Sequence, residues 1–239
     1  MIPYIIINGV SSKNINGLLI QKLPPISKPK VRTSIEEIDG RDGDIVTPLG
    51  FAAYDKAITI GLKGDYNVDD VIEYFNTSGK VTFSNELDKY YNFAIYNTID
   101  FNKLIRFKTA NITMHVQPFK YSLDEPPITW NNTREQTIAN ISVRNTGNIY
   151  SRPKLTITGS NTITVYLGDR QIFSIELSAA GETIIIDAAG MNATDPDGNY
   201  LNRQVTGDYD NFILAPGINN LRITGTITSI TLDTYSRWI

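Results

Sequence analysis

Apolar and polar side chains alternate along most of this chain. Ile58, Ile60 and Leu62 alternate with Ala57, Thr59 and Gly61, a period of two that turns one face of a strand toward a core. The same rhythm recurs at Val81/Phe83, Tyr91/Phe93/Ile95 and Ile112/Met114/Val116, then at Leu155/Ile157, Ile163/Val165/Leu167, Phe173/Ile175/Leu177 and Leu221/Ile223. Threonine fills many intervening positions, as in Lys154-Leu-Thr-Ile-Thr158, and β-branched residues suit a pleated, half-buried surface. The continuous run Thr183-Ile-Ile-Ile-Asp187 predicts a strand buried on both faces. The phase breaks between Ile227 and Ile230, which predicts a bulge or turn near Thr228-Ser229.

One short helix interrupts the strand pattern. Asn67 can cap it, Asp69 and Asp70 complement its dipole, and Val71, Ile72 and Phe75 form its apolar stripe, with Gly79 expected to end it. Turn chemistry recurs at Asn8-Gly9, Asp39-Gly40, Asp42-Gly43, Asp197-Gly198 and Pro216-Gly217. Closely spaced strands with such punctuation predict sandwiches or barrels, and no internal repeat points to a solenoid or propeller. Basic residues change character along the chain: residues 1–130 carry 11 Lys and 3 Arg, residues 131–239 carry 1 Lys and 7 Arg. With the paired prolines Pro126-Pro127, which cannot continue a helix or a central strand, this places a domain seam at Asp124–Pro127, between units 1–127 and 128–239.

Composition narrows the chemistry. The absence of cysteine excludes disulfide scaffolds, thiolate metal sites and cysteine nucleophiles. With His115 as the single histidine, multi-histidine metal sites are excluded, and no Gly-x-Ser-x-Gly elbow exists to build a triad around it. His115 lies in an alternating run facing away from Ile112 and Val116, which reads as a surface or interface imidazole. A net charge of −3 without a basic block argues against nucleic acid as a partner. The short apolar run at the start lacks the charged flank of a signal peptide, and no stretch is long enough to span a membrane, so a soluble product made in the cytoplasm is expected.

The remaining motifs are weak as sites. Asp195-Pro-Asp-Gly-Asn199 superficially resembles a calcium loop, but the required glycine and glutamate positions are Tyr200 and Thr206, so an Asx/Gly turn is expected. The carboxylate pairs Asp208/Asp210, Glu36/Glu37 and Asp42/Asp44 carry no sign of the convergence that glycoside hydrolysis needs. Triplets such as Asn111-Ile-Thr113 and Asn140-Ile-Ser142 read as accidental in a chain rich in Asn and Thr. Among the aromatics, Tyr166, Tyr200, Tyr209 and Trp238 are candidates for a contact surface, either a sugar-stacking platform or, in preference, a protein interface. No catalytic residue, metal site or cofactor is expected.

Ordered pieces of the sequence resemble the distal tail proteins of long-tailed siphophages. They are the N-terminal strand Tyr4-Ile-Ile-Ile-Asn8, a Lys/Pro-rich segment from Lys22 to Lys30, and Ile38-Asp-Gly-Arg-Asp-Gly-Asp44, similar to that family's Gly-Arg-Asp-Gly element. The helix near 68–76 and the strand exit Gln117-Pro-Phe-Lys-Tyr121 follow. In the second half come Asn145-Thr-Gly-Asn-Ile-Tyr-Ser-Arg-Pro153, Leu155 to Gly159, Ile184 to Asp187, Phe212 to Asn219 and Tyr235-Ser-Arg-Trp-Ile239.

The resemblance implies a mainly β chain: an N-terminal β-sandwich-like domain with one short helix and an extended arm, then a C-terminal galectin-like β-sandwich. It implies a structural virion protein at the tail tip, a homohexameric ring joining the tail-tube protein to the tail-associated tip protein and able to carry receptor-binding proteins. The residues themselves suggest how such a ring closes. A cyclic hexamer repeats one heterologous interface. The proline-bearing segment Lys22–Phe51 reads as an arm laid on a neighbour, with Arg41, Asp42, Gly43 and Asp44 at the subunit interface and Arg41 making charge-assisted bonds. The alternative is a surface hairpin within one subunit. Trp238 is too apolar to be left loose, so the last residues are expected to pack back, with the N-terminal domain as one candidate partner. A carbohydrate-binding adhesion module is the competing function, and a glycosidase the least supported.

Overall fold

The structure, a computed structural model, describes residues 2–239, with the side chains of all but residues 132–137. Strand accounts for 56% of it and helix for 10%, so the chain is mainly β. It divides into two units, Met1–Leu123 with Ile239, and Asp124–Trp238, each with its own apolar core.

The first unit contains β1 (Ile5–Ile7), β2 (Val10–Ser11), β3 (Leu18–Lys22), β4 (Val31–Glu36), β5 (Ile45–Phe51), β6 (Tyr54–Leu62), α1 (Val68–Phe75), β7 (Ser78–Phe83), β8 (Lys89–Ala94), α2 (Phe101–Phe107) and β9 (Thr109–Ser122). Seven of these strands form one antiparallel sheet in the order β2-β1-β7-β8-β9-β6-β3. The alternating residues fall on its inner face as the pattern requires: Ile58, Ile60, Ile112, Met114 and Val116 are buried, and α1 adds Val71, Tyr74 and Phe75. Strands β4 and β5 pair only with each other, as a separate two-stranded hairpin.

The expected helix is present, and Asn67 caps it by accepting from the Asp69 N–H. Its end differs from expectation. Asn76 terminates the helix, while Gly79 lies inside β7 at φ +136°. A Cβ at Gly79 would sit 2.2 Å from Asn8 Oδ1, which accepts from the Lys80 N–H at 2.8 Å, so glycine there admits the Asn8 side chain to the strand. The expectation of a single helix is also corrected by α2. Asp100 caps α2 through the Lys103 N–H at 2.9 Å, Leu104 is its one buried residue, and Lys108 closes it in the left-handed conformation. One buried residue in seven leaves no apolar stripe for periodicity to register.

The second unit contains β10 (Ile128–Asn145), β11 (Lys154–Leu167), β12 (Arg170–Asp187), β13 (Asn192–Thr194), β14 (Val205–Gly207), β15 (Gly217–Asp233) and β16 (Arg237–Trp238). The order β10-β15-β11-β12-β13, with β14 beside β12, is antiparallel throughout. Ile157 and Ile163, from opposite halves of β11, share one core, so these long strands bend over it at their register shifts. One shift lies where Thr158 faces Ser229 and Gly159 faces Ile227, the bulge foreseen at Thr228. The run Thr183–Asp187 is buried on one face only: Ile184 and Ile186 enter the core while Ile185 is half-exposed. Apolar composition alone overstated its burial.

The motif from Asn145 to Ser151 clasps the end of this unit. Asn145, 1% exposed, donates from Nδ2 to the Ile149 and Leu214 carbonyls and accepts from the Gly147 N–H, at 2.9–3.0 Å. Gly147 lies so close to Arg237 that a Cβ would sit 2.1 Å from its carbonyl oxygen. The Thr146 N–H donates to Ser236 Oγ at 3.0 Å, Arg237 Nε donates to the Tyr150 carbonyl, and the Ser236 N–H donates to Glu125 Oε2 at 2.8 Å. The unit's first and last residues therefore meet.

Candidate assembly surface

The segment before β4 is anchored rather than loose. Pro24 and Pro29 are buried, and the Lys56 ammonium donates to the Pro25 carbonyl at 2.9 Å. Lys56 is almost wholly buried beneath this segment, 4.9 Å from the centroid of the Tyr91 ring and 5.3 Å from that of Tyr54. Burial pulls its pKa down, partly offset by Glu86, which also takes an ion pair from the buried Lys120. The Tyr54 hydroxyl donates to the Ser27 carbonyl. At the hairpin's base the Ala52 N–H bonds the Lys30 carbonyl at 2.8 Å, and Phe51 packs edge-on against Phe119.

Beyond this base the hairpin's large apolar side chains are exposed. Ile35 and Val46 face each other across the two strands, yet remain 58% and 56% exposed. Ile38 and Leu49 are exposed as well. A two-stranded hairpin is marginal in water without packing on one face. Covering these four half-exposed side chains would contribute about 1 kcal/mol each, half of the roughly 2 kcal/mol for burying a whole aliphatic side chain. Arg41, Asp42, Gly43 and Asp44 lie at the tip, all exposed, with Gly40 and Gly43 at positive φ making the turn. Glu36, Glu37 and Asp39 extend this acidic tip.

The aromatic candidates have separate surroundings. Tyr166 carries the Arg222 guanidinium 3.8 Å from its ring centroid. Tyr209 packs edge-on to Phe173 at 5.0 Å, and its hydroxyl is buried with no hydrogen-bond partner among the described residues; burial pushes its pKa up. Tyr200, 74% exposed, does present its side chain to solvent, and Trp238 is half-buried in β16. Tyr209 is half-buried against Phe173, and Arg222 covers one face of Tyr166.

The acidic groups are engaged in local structure. Asp208 caps the turn Tyr209–Asn211, Asp210 pairs with Arg152 at 3.1 Å, and Asp195 accepts from Asn199 N–H groups in the expected turn. These hydrogen bonds hold the Asp195 and Asp208 carboxyls below the usual range. His115 Nδ1 is 2.8 Å from Asp55 Oδ1 on the neighbouring strand, and its ring lies near Tyr96, beside an open cleft of about 300 Å³. A larger open cleft of about 470 Å³ is lined by Ile7, Val10, Ile15 and Tyr74 with Asp70 and Glu73. Among the described residues no His, Asp and Glu cluster is arranged to hold a metal ion, and no helix is long and apolar enough to cross a membrane.

Sequence reasoning passed over the exposed face of α2, where Lys103, Ile105, Arg106, Phe107 and Lys108 all reach solvent. The signal was local: a short run with three cations, no acid and three large apolar side chains, of which Ile105 and Phe107 are exposed.

No protein-family model and no curated protein matches the sequence. Solved structures do match over nearly the full length. SPP1 Dit (gp 19.1), described as a paradigm of the hub adsorption apparatus in phages infecting Gram-positive bacteria, superposes with a TM-score of 0.68 at 16% identity, over 97% of this chain and 98% of that one. A chain of the phage P2 baseplate in its activated conformation with Ca gives 0.54 at 10% identity, over 97% of each chain. The chain has the fold of the phage distal tail and baseplate hub proteins.

Proposed function

We propose that this protein is a non-enzymatic structural component of a phage tail tip. Six copies form a ring through residues 1–127, joining the tail-tube protein to the tail-associated tip protein. Residues 128–239 serve as a galectin-like module that offers a surface to receptor-binding proteins. The observation that carries this reading is the likeness to SPP1 Dit along almost the whole of both chains. The hairpin fits it, because a set of large apolar side chains left exposed among the described residues suits a protein that works as an assembly. Each subunit would lay its hairpin on the next.

Sedimentation velocity and negative-stain microscopy of the full chain test this. Six-fold rings are expected from the unaltered protein. Deletion of residues 39–44, or the pair Ile35→Ser and Val46→Ser, is expected to yield folded monomers. Rings that persist unchanged in both variants would remove the hairpin from the interface, and a protein that binds glycans as a monomer would favour an adhesion module instead.

A further inference from the structure

We infer that the hairpin of one copy seats on the exposed face of α2 of a neighbouring copy, its acidic tip against Lys103 and Arg106 and its apolar pair against Phe107, which shares that face. The inference rests on the ring reading and adds the receiving surface to it. The two surfaces are complementary in both charge and hydrophobicity. The hairpin tip carries Glu36, Glu37, Asp39, Asp42 and Asp44 against the single cation Arg41, next to exposed Ile35, Ile38 and Val46. The stretch Phe101–Lys108 carries three cations and no acid, next to exposed Ile105 and Phe107.

Local bonds decide which cations are offered. The Lys108 ammonium donates to the Tyr66 hydroxyl and lies 4.4 Å from that ring's centroid, so its own chain holds it. Arg106 lies 5.3 Å from the Phe107 ring centroid, which props the guanidinium beside an apolar neighbour. Asp100, the nearest acid along the chain, is occupied in capping the helix. Among the described residues no ion pair joins the tip carboxylates to α2, and the hairpin strands pair with no other strand. Donor and acceptor surfaces differ, so the contact can run head to tail from one copy to the next. Repeated head to tail, it closes into a ring. Opposite charge sets its register, and the apolar side chains supply most of its strength.

A charge exchange in the full chain tests the pairing. Lys103→Glu with Arg106→Glu is expected to weaken assembly on the order of tenfold, and Glu36→Lys with Glu37→Lys by a similar factor. All four changes together should restore assembly to within about threefold of the unaltered chain. As an independent measure, Ile38→Cys and Phe107→Cys are placed in separate chains, which are mixed and treated with a short bis-maleimide. The protein has no cysteine of its own, so every adduct reports the introduced pair. Adducts between the two different chains should dominate over adducts of either with itself. If hairpin reversal weakens the ring while α2 reversal does not, or if the combined variant assembles no better than either parent, the receiving surface is overturned and the ring stands. An unaltered chain that stays monomeric at every accessible concentration overturns both.

Discussion

Replacing Asn145 by alanine isolates what a buried polar clasp contributes. Asn145 makes three hydrogen bonds, two from Nδ2 and one to Oδ1, and is 1% exposed. Each is worth about 1 kcal/mol net, and the backbone groups left without partners in a dry site add to the loss, so about 3–4 kcal/mol is expected. Asn219 is the control. It also makes three bonds, accepting from the Ala215 N–H and donating to the Ala215 and Gly217 carbonyls, but at a partly exposed turn where water can replace it. Asn219→Ala should cost about 1 kcal/mol. Both indoles of the chain, Trp130 and Trp238, belong to Asp124–Trp238, so tryptophan fluorescence follows this unit selectively in urea. At roughly 2 kcal/mol per molar urea, the midpoint should fall by about 1.5–2 M for Asn145→Ala and about 0.5 M for Asn219→Ala. Equal shifts for the two variants would refute the argument that burial, rather than bond number, sets the cost.

Two tyrosines give further tests. Burial holds the Tyr74 phenol well above its ordinary value of 10.0, and its hydroxyl faces the Ile5 and Val10 carbonyls. Because the folded pKa is the raised one, this contribution to stability is complete below pH 10 and is lost as pH climbs above it, where the unfolded phenol ionises first. Tyr74→Phe should flatten the alkaline decline of the first unit, followed by calorimetry between about pH 9 and 11, by up to one proton's worth of slope. An unchanged slope would count against it. Tyr209→Phe removes a buried hydroxyl that has no partner among the described residues, so the second unit should be unaffected or stabilised by up to about 1 kcal/mol, read by the same indole fluorescence. A loss above 1 kcal/mol would mean that the hydroxyl is bonded after all.

The sequence disclosed the fold best where a signal was local and periodic. The alternations at Ile58–Leu62 and Ile112–Val116 placed buried faces correctly, Asn67 announced its helix, and the lost phase after Ile227 marked a real bulge. Where burial depends on what lies across the sheet, the reading faltered: Ile185 is as apolar as Ile184 but faces the other way. Helix α2 was missed because only Leu104 enters the core, and Gly79 was taken for a helix stop because its real reason, the Asn8 side chain, is 71 positions away in the chain. The tip residues Arg41–Asp44 were legible as a turn, since Gly and Asp mark turns by their backbone preferences. That the strands below them leave large apolar side chains exposed was not, because an exposed apolar pair and a core pair are written in the same letters.

The bond between Glu125 and Ser236 has a consequence for how such a chain can diversify. A polypeptide that enters and leaves a module at one place can lengthen, shorten or exchange that module's loops and strands without rerouting the rest of the chain. Only the clasp must be kept: Asn145, the narrow Gly147 and the run Thr234–Arg237 that they hold. Recombination points on either side of that clasp would exchange the module's surface while leaving the first unit's hairpin unchanged.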